Sequence, residues 1–153
     1  MEPVATIGYE GATVAAVMAS LGAAGVRLLV DVRALASSRR PGFAKTALAA
    51  NLAAAGIAYR HLRGLGTPAD GRAAARAGRY DDLRAIFAEH LTTPVAQADL
   101  DVLVGLVTGG ERVALLCFEA DPAHCHRTLV AAALAARVPI AVTDLRPQED
   151  DTD

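Results

Sequence analysis

Two short runs made up mostly of apolar residues place the strongest constraint on the fold of this chain. They are VRLLVDV at 26–32 and RVALLCF at 112–118. A strand that is apolar at every position is buried on both faces, as in the interior of a parallel sheet covered by helices. Three further strands are predicted, PVATIG (3–8), IAYRHL (57–62) and VPIAVTDL (138–145).

Helical patterns separate these strands. The predicted helices cover 12–24, 44–55, 80–91, 93–107 and a last one that starts at Asp121-Pro122 and runs to about 137, while the glycines between 64 and 71 indicate a loop. The order β-α-β-α-β-α-α-β-α-β predicts an α/β fold. We expect a three-layer α/β/α, Rossmann-like architecture with a mainly parallel five-stranded sheet. A single domain over 1–146 and a frayed acidic tail at 147–153 complete the prediction.

Composition excludes several classes of protein. The chain is 53% hydrophobic and 21% charged, which is typical of a globular domain rather than a disordered one. It has no apolar run long enough to span a membrane, so no membrane association is expected. Glu2 and Glu10 precede an early apolar segment, which lacks the positive start of a secretory signal, and we expect a cytoplasmic protein. Cys117 and Cys125 are then predicted to be thiols.

The net charge of −2 hides a basic middle third. Between residues 27 and 84 there are eleven basic residues against four acids. Clustered arginines are suited to phosphate or carboxylate ligands. A solvated basic face and a nucleic-acid-binding surface are the alternatives, and the second is not favoured.

Polar residues follow the ends of the predicted strands. In a parallel sheet these ends share one edge, where ligands bind near the point at which strand order reverses. The start of the last long helix belongs to the same edge. The side chains expected to converge there are Tyr9, Asp31, Arg33, Ser38, Arg39, Tyr59, His61, Cys117, Glu119, His126 and Arg127.

Several of these stretches together resemble a known family. TIGYEG (6–11), LLVDVR (28–33), SRRPGF (38–43), GIAYRHLRGLGTP (56–68) and LLCFEADPAHCHR (115–127) are similar to segments of the bacterial and archaeal family called domain of unknown function 488. The resemblance extends over most of the chain. It implies no particular reaction, because the activity of the family is not established.

The segment CFEADPAHCHR raises the question of thiol or metal chemistry. Cys117 is either a core residue or a nucleophile activated by Arg127, His126 or a helix N-terminus, as in a rhodanese-like sulfur-transfer protein. Metal ligation is disfavoured, because adjacent Cys125 and His126 point in different directions on a helix and no typical zinc spacing occurs. No metal site and no cofactor are predicted.

The leading hypothesis is an enzyme with a strand-end pocket for a small anionic ligand, phosphorylated or nucleotide-like. Arg33, Arg39 and Arg127 are predicted to bind the anion. Glu119 or Asp31 would transfer protons; the alternative is that these acids only form ion pairs with arginines. Cys117 and His126 would complete the pocket. The remaining candidates are Ser38 in the loop, Tyr9 and Tyr59 as stacking rings, and His61 as an acid–base partner or a loop hydrogen bonder.

Overall fold

The computed structural model describes residues 2–147, so the predicted tail beyond 147 lies outside the described residues. Five strands form one sheet: β1 (Val4–Gly8), β2 (Leu28–Asp31), β3 (Ala58–His61), β4 (Val113–Cys117) and β5 (Val142–Leu145). The α-helices are α1 (Val14–Ala23), α2 (Lys45–Ala54), α3 (Ala69–Arg76), α4 (Tyr80–His90), α5 (Pro94–Thr108) and α6 (Arg127–Ala135). Short 3-10 turns occupy Arg63–Leu65 and Pro122–His124.

The sheet is entirely parallel, with strand order β3-β2-β4-β1-β5. Its two faces carry separate cores. On one face Leu29 and Leu116 pack with Leu21 of α1 and Leu48 of α2, and the other face packs against α4, α5 and α6. The predicted three-layer α/β/α architecture is therefore confirmed. Because β1, β2 and β4 are central strands covered on both sides, their residues are apolar at almost every position.

The strand order fixes where a site can form. The chain moves from β1 through β2 to β3 in one direction and then returns to β4 between β1 and β2. This reversal places the carboxyl ends of β1, β2 and β4 side by side, with their connecting loops diverging to opposite faces. A crevice at this edge is the usual ligand position in such sheets.

Helix α3 begins inside the stretch 64–71, which was predicted to be a loop from its glycines. A Cβ at Gly71 would overlap Thr67 and would lie only 3.2 Å from Cγ2 of Ile86, so glycine is needed where α3 approaches α4 closely. A glycine inside a helix costs about 1 kcal/mol relative to alanine. Helix α3 packs on α4, and the prediction of a loop was wrong for residues 69–71, where this helix begins.

The last long helix is also interrupted near its start. Asp121 caps the 3-10 turn Pro122–His124, with its Oδ1 accepting from the amide of Ala123 at 2.9 Å. Cys125 is then extended, with φ −130° and ψ 141°, and α6 begins only at Arg127. The single helix predicted from residue 121 was therefore wrong over this turn, where buried side chains turn the backbone out of helical geometry.

Strand β5 is shorter than predicted and lies at the sheet edge beside β1. Pro139 has no amide hydrogen to donate to a sheet, and pairing starts only at Val142. Among residues 2–147, no helix combines the length and the apolar character needed to cross a bilayer.

Candidate functional site

A cleft of about 410 Å³ lies at the carboxyl ends of β1, β2 and β4. The loop after β2 and helix α3 form its walls, and the end of β4 forms its floor. This size is typical of small-molecule sites. The lining residues are Tyr9, Arg33, Ala34, Leu35, Ser37, Ser38, Thr67, Arg72, Ala75, Arg76, Leu83, Cys117, Phe118, Glu119 and His126.

Cys117, Glu119 and His126 form a polar cluster in the floor. The Sγ atom of Cys117 lies 3.4 Å from Nδ1 of His126 and 3.3 Å from Oε2 of Glu119. Cys117 and His126 are buried, whereas Glu119 is only partly buried. The thiol of Cys117 is thus within proton-transfer distance of both an imidazole and a carboxylate at the floor of the cleft.

The backbone of β2 fixes the orientation of His126. Its Nε2 lies 2.7 Å from the carbonyl oxygen of Val32. A carbonyl can only accept, so Nε2 carries a hydrogen and donates it. In the neutral ring, Nδ1 then presents a lone pair towards the thiol of Cys117.

The sulfur of Cys125 also lies near Nδ1 of His126. Its Sγ is 3.9 Å from Nδ1 of His126, and the donor atoms of Cys117, Cys125 and His126 all lie within 4.8 Å of one another. The expectation that Cys125 and His126 point apart was wrong, because Cys125 is extended and precedes α6 instead of belonging to it.

Burial controls the protonation of this cluster. Loss of hydration raises the pKa of Cys125 well above its ordinary value, and the neighbouring Cys117 raises it further. Burial alone lowers the pKa of His126, but Cys125, the Val32 carbonyl and Glu119 raise it, and the net pKa is raised. The thiol of Cys125 is therefore kept neutral, and the pKa of His126 is higher than that of a free imidazole.

Asp31 and Arg33 form a buried ion pair behind the cleft. Nε and Nη2 of Arg33 donate to the two carboxylate oxygens of Asp31 at 2.9 and 2.7 Å, and Nη1 donates to the Tyr9 hydroxyl and the Phe43 carbonyl. Burial lowers the pKa of Arg33, but the bonds and attraction of Asp31 outweigh that effect and raise it. Arg33 lines the cleft, yet four of its five N–H donors are already used.

Tyr59 and His61 support this ion pair from β3. The Tyr59 hydroxyl donates to Oδ2 of Asp31 at 2.6 Å, and Nε2 of His61 lies 2.6 Å from the Arg33 carbonyl. Burial and the bond to Asp31 raise the pKa of Tyr59. The structure places Asp31, Tyr59 and His61 outside the cleft lining, where they orient Arg33. Tyr9, in contrast, lines the cleft and stacks on Phe43 with 4.4 Å between ring centroids.

Arg127 holds the loop that carries Glu119. Its side chain is completely buried and donates to the carbonyls of Glu119 and Ala120. Its Nε has no hydrogen-bond partner within the described residues. Gly8 at the end of β1 allows the same loop to approach, because a Cβ there would overlap the Glu119 carbonyl.

The two remaining predicted residues lie in the loop after β2. Ser38 lines the cleft and its Oγ accepts from the amide of Arg40 at 3.1 Å. Arg39 is exposed and does not line the cleft.

Arg72 and Arg76 of α3 line the cleft and were not among the predicted site residues. Arg72 is partly buried and uses Nη1 to donate to the Thr67 carbonyl at 2.8 Å, while Arg76 is exposed. Their spacing of four residues puts both on one face of a helix. That spacing was the available signal, but no helix was predicted between the loop at 64–71 and residue 80.

The fold and the cleft define a parallel α/β protein whose small-molecule-sized crevice opens at the strand ends next to a thiol–imidazole–carboxylate cluster. The chain belongs to the family described as domain of unknown function DUF488, whose model matches residues 13–134. The family resemblance noted from the motifs is thereby confirmed. Comparison with curated proteins and with solved structures gives no match.

Proposed function

We propose that this protein is an enzyme whose strand-end cleft binds a small anionic substrate, phosphorylated or nucleotide-like. The observation that carries the proposal is the position of Arg72 and Arg76, which line one wall of the cleft that also contains Cys117, His126 and Glu119. Arginine recognises phosphate and carboxylate groups through paired N–H donors.

Arg72 and Arg76 take the anion-binding role in this proposal because the other arginines have different surroundings. Arg127 is buried against backbone carbonyls, and Arg33 is paired with Asp31. Arg33 contributes mainly its positive charge to the electrostatic potential of the cleft, and Asp31 partly neutralises that charge. The hydroxyls of Ser37 and Ser38 line the same cleft and add hydrogen-bonding capacity for anionic oxygens.

Glu119 is the proton-transferring group in this proposal. It lines the cleft, it is only partly buried, and one of its oxygens lies 3.3 Å from the Cys117 sulfur. Asp31 is less suited to the role, because its carboxylate is fully buried and accepts from Arg33 and Tyr59. His126 supports Glu119 by holding the adjacent thiol in place.

The test is ligand-induced thermal stabilisation with inorganic phosphate, pyrophosphate and a nucleoside 5′-monophosphate as probes. Ligand at about a hundred times its Kd stabilises a protein by about 2.7 kcal/mol. For a chain of this length that corresponds to a rise in Tm of roughly 5–10 °C. We expect at least one probe to produce such a rise in the unmodified protein.

Matched variants identify the site. The double variant R72A/R76A should lose the stabilisation, whereas R79A should keep it, because Arg79 is exposed, faces Asp82 and does not line the cleft. The same assay with single-stranded oligonucleotides tests the nucleic-acid alternative, which predicts binding that weakens steeply with salt. No stabilisation by any small anion, or equal stabilisation of R72A/R76A, would contradict the proposal.

A further inference from the structure

Three soft or borderline donor atoms meet in the floor of the cleft. They are Sγ of Cys117, Sγ of Cys125 and Nδ1 of His126, all within 4.8 Å of one another. The residues are at most 5% exposed. They lie within one segment of ten residues, and the turn between β4 and α6 folds Cys125 and His126 back onto Cys117.

The distances from the histidine nitrogen to the two sulfurs are close to those between ligands around one tetrahedral ion. Zinc binds thiolate sulfur at about 2.3 Å and imidazole nitrogen at about 2.0–2.1 Å, so sulfur and nitrogen ligands in a tetrahedron are about 3.5 Å apart. The observed distances from Nδ1 of His126 are 3.4 Å to Cys117 and 3.9 Å to Cys125. Only small side-chain shifts would be needed to place one ion between them.

The orientation of His126 is the one that zinc ligation requires. A histidine ligand usually donates its second ring N–H to a carbonyl or a carboxylate, which fixes the ring and leaves the other nitrogen for the metal. Nε2 of His126 makes that bond to the Val32 carbonyl at 2.7 Å. The ring therefore presents Nδ1 to the two sulfurs.

Charge balance points the same way. Burial of two charged thiolates without a counter-ion would cost much free energy. Two neutral thiols beside one imidazole can form only weak hydrogen bonds, because a thiol is a weak donor. A divalent cation bound by two thiolates and a neutral imidazole forms a group with no net charge, which burial tolerates.

We propose that Cys117, Cys125 and His126 form a zinc-binding site with an open fourth position towards the cleft. Glu119 does not belong to the group of mutually close donors, although it lies beside Cys117. Cys117 and His126 line the cleft. Three protein ligands with an open position are typical of catalytic zinc, which can polarise a bound oxygen or lower the pKa of a bound water.

Metal binding does not depend on the anion proposal, whereas a catalytic role for the metal rests on it. If zinc binds and no anion stabilises the protein, the metal site stands and the proposed function fails. If an anion binds at Arg72 and Arg76 and no metal binds, the reverse holds.

The experiment uses the full chain, reduced, stripped with a chelator and titrated with Zn²⁺ or Co²⁺. We expect one zinc per chain by elemental analysis and native mass spectrometry. The cobalt form should show thiolate-to-cobalt charge-transfer bands and the intense visible bands of a tetrahedral ion. Absence of stoichiometric zinc, or a cobalt form without thiolate bands, overturns the proposal on the unmodified protein alone.

Variants assign the ligands. C117S, C125S and H126Q should each weaken zinc binding by more than about 100-fold, since loss of an outer-shell partner alone costs about 10–100-fold. H124Q is the matched control, because His124 is two residues away, partly exposed and near Asp121, and it should keep full affinity. Equal loss in H124Q and H126Q, or full affinity in C125S, overturns the three-ligand assignment. Glu119 is only an outer-shell neighbour of Cys117, so E119Q should lose no more than about 10–100-fold in zinc affinity, and a loss as large as that of C117S would overturn the open fourth position.

Discussion

The guanidinium of Arg33 binds the carboxylate of Asp31 through two hydrogen bonds, which Nε and Nη2 donate at 2.9 and 2.7 Å. Both side chains are almost completely buried. Nη1 of Arg33 also donates to the Tyr9 hydroxyl and the Phe43 carbonyl, and the Tyr59 hydroxyl donates to Asp31. The ion pair joins the end of β2 to the ends of β1 and β3. It therefore sets the shape of the edge at which the cleft opens.

Breaking this pair should destabilise the protein strongly. Removing one partner of a buried ion pair leaves an uncompensated charge and typically costs about 3–5 kcal/mol. We expect R33A and D31A each to lose free energy of unfolding in this range, measured by urea denaturation. R137A is the control, because its ion pair with Asp101 is solvent-exposed and such pairs contribute no more than about 1 kcal/mol. Losses of similar size in R33A and R137A would contradict the structural role.

Tyr59 should make the protein sensitive to alkaline pH. Its pKa is raised in the folded protein from an unfolded value of about 10, so the folded state retains a proton that the unfolded state releases. The stabilisation is complete below pH ~10 and is lost as pH rises above that value. We expect the free energy of unfolding of Y59F to decline less steeply between pH ~9 and pH ~11 than that of the unmodified protein.

Tyr80 provides the comparison for that experiment. Its ring stacks on His124 at 3.9 Å between centroids, and its hydroxyl takes no part in the Asp31 network. Y80F should keep the slope of the unmodified protein. If Y59F and Y80F show the same pH dependence, the raised pKa of Tyr59 does not contribute to stability.

Gly8 should not tolerate alanine, because a Cβ there would overlap the backbone carbonyl of Glu119. Overpacking of this kind costs about 1–3 kcal/mol, and it would also displace the loop that carries Glu119. We expect G8A to lower Tm. G105A is the matched substitution: Gly105 lies inside α5 with open space around it, and alanine should stabilise the helix by roughly 0.5–1 kcal/mol. A neutral G8A would contradict the close approach.

The two cysteines should differ in their reaction with iodoacetamide. Cys117 lines the cleft, whereas Cys125 does not, although both are about 4% exposed. In chelator-stripped protein we expect alkylation of Cys117 before Cys125, read by peptide mass spectrometry. Zinc should protect both thiols if they are its ligands. Rapid alkylation of Cys117 in zinc-saturated protein would instead favour the nucleophilic, rhodanese-like alternative.

Much of the fold was predictable because its central strands are apolar on both faces. The runs at 26–32 and 112–118 are typical of strands inside a covered parallel sheet, and the alternation of strands and helices brings the carboxyl ends of the strands to one edge. Six of the eleven predicted site residues line the cleft for this reason: Tyr9, Arg33, Ser38, Cys117, Glu119 and His126.

Helix α3 and its two arginines could not be predicted in this way. The low helix propensity of Gly71 disfavours a helix, and glycine becomes favourable there through the close packing of α3 on α4. The cleft wall that carries Arg72 and Arg76 thus depends on a contact between residues distant in sequence.

Hydrophobic periodicity and element order act along the chain, and they specify the layered α/β architecture, the family and the edge of the sheet at which polar side chains gather. What those side chains do was set by the three-dimensional packing of the chain. It paired Asp31 with Arg33, buried Arg127 under the Glu119 loop and turned Cys125 and His126 towards Cys117. These roles depend on which donors meet which acceptors once burial has removed water, and adjacency in sequence carries no information about that.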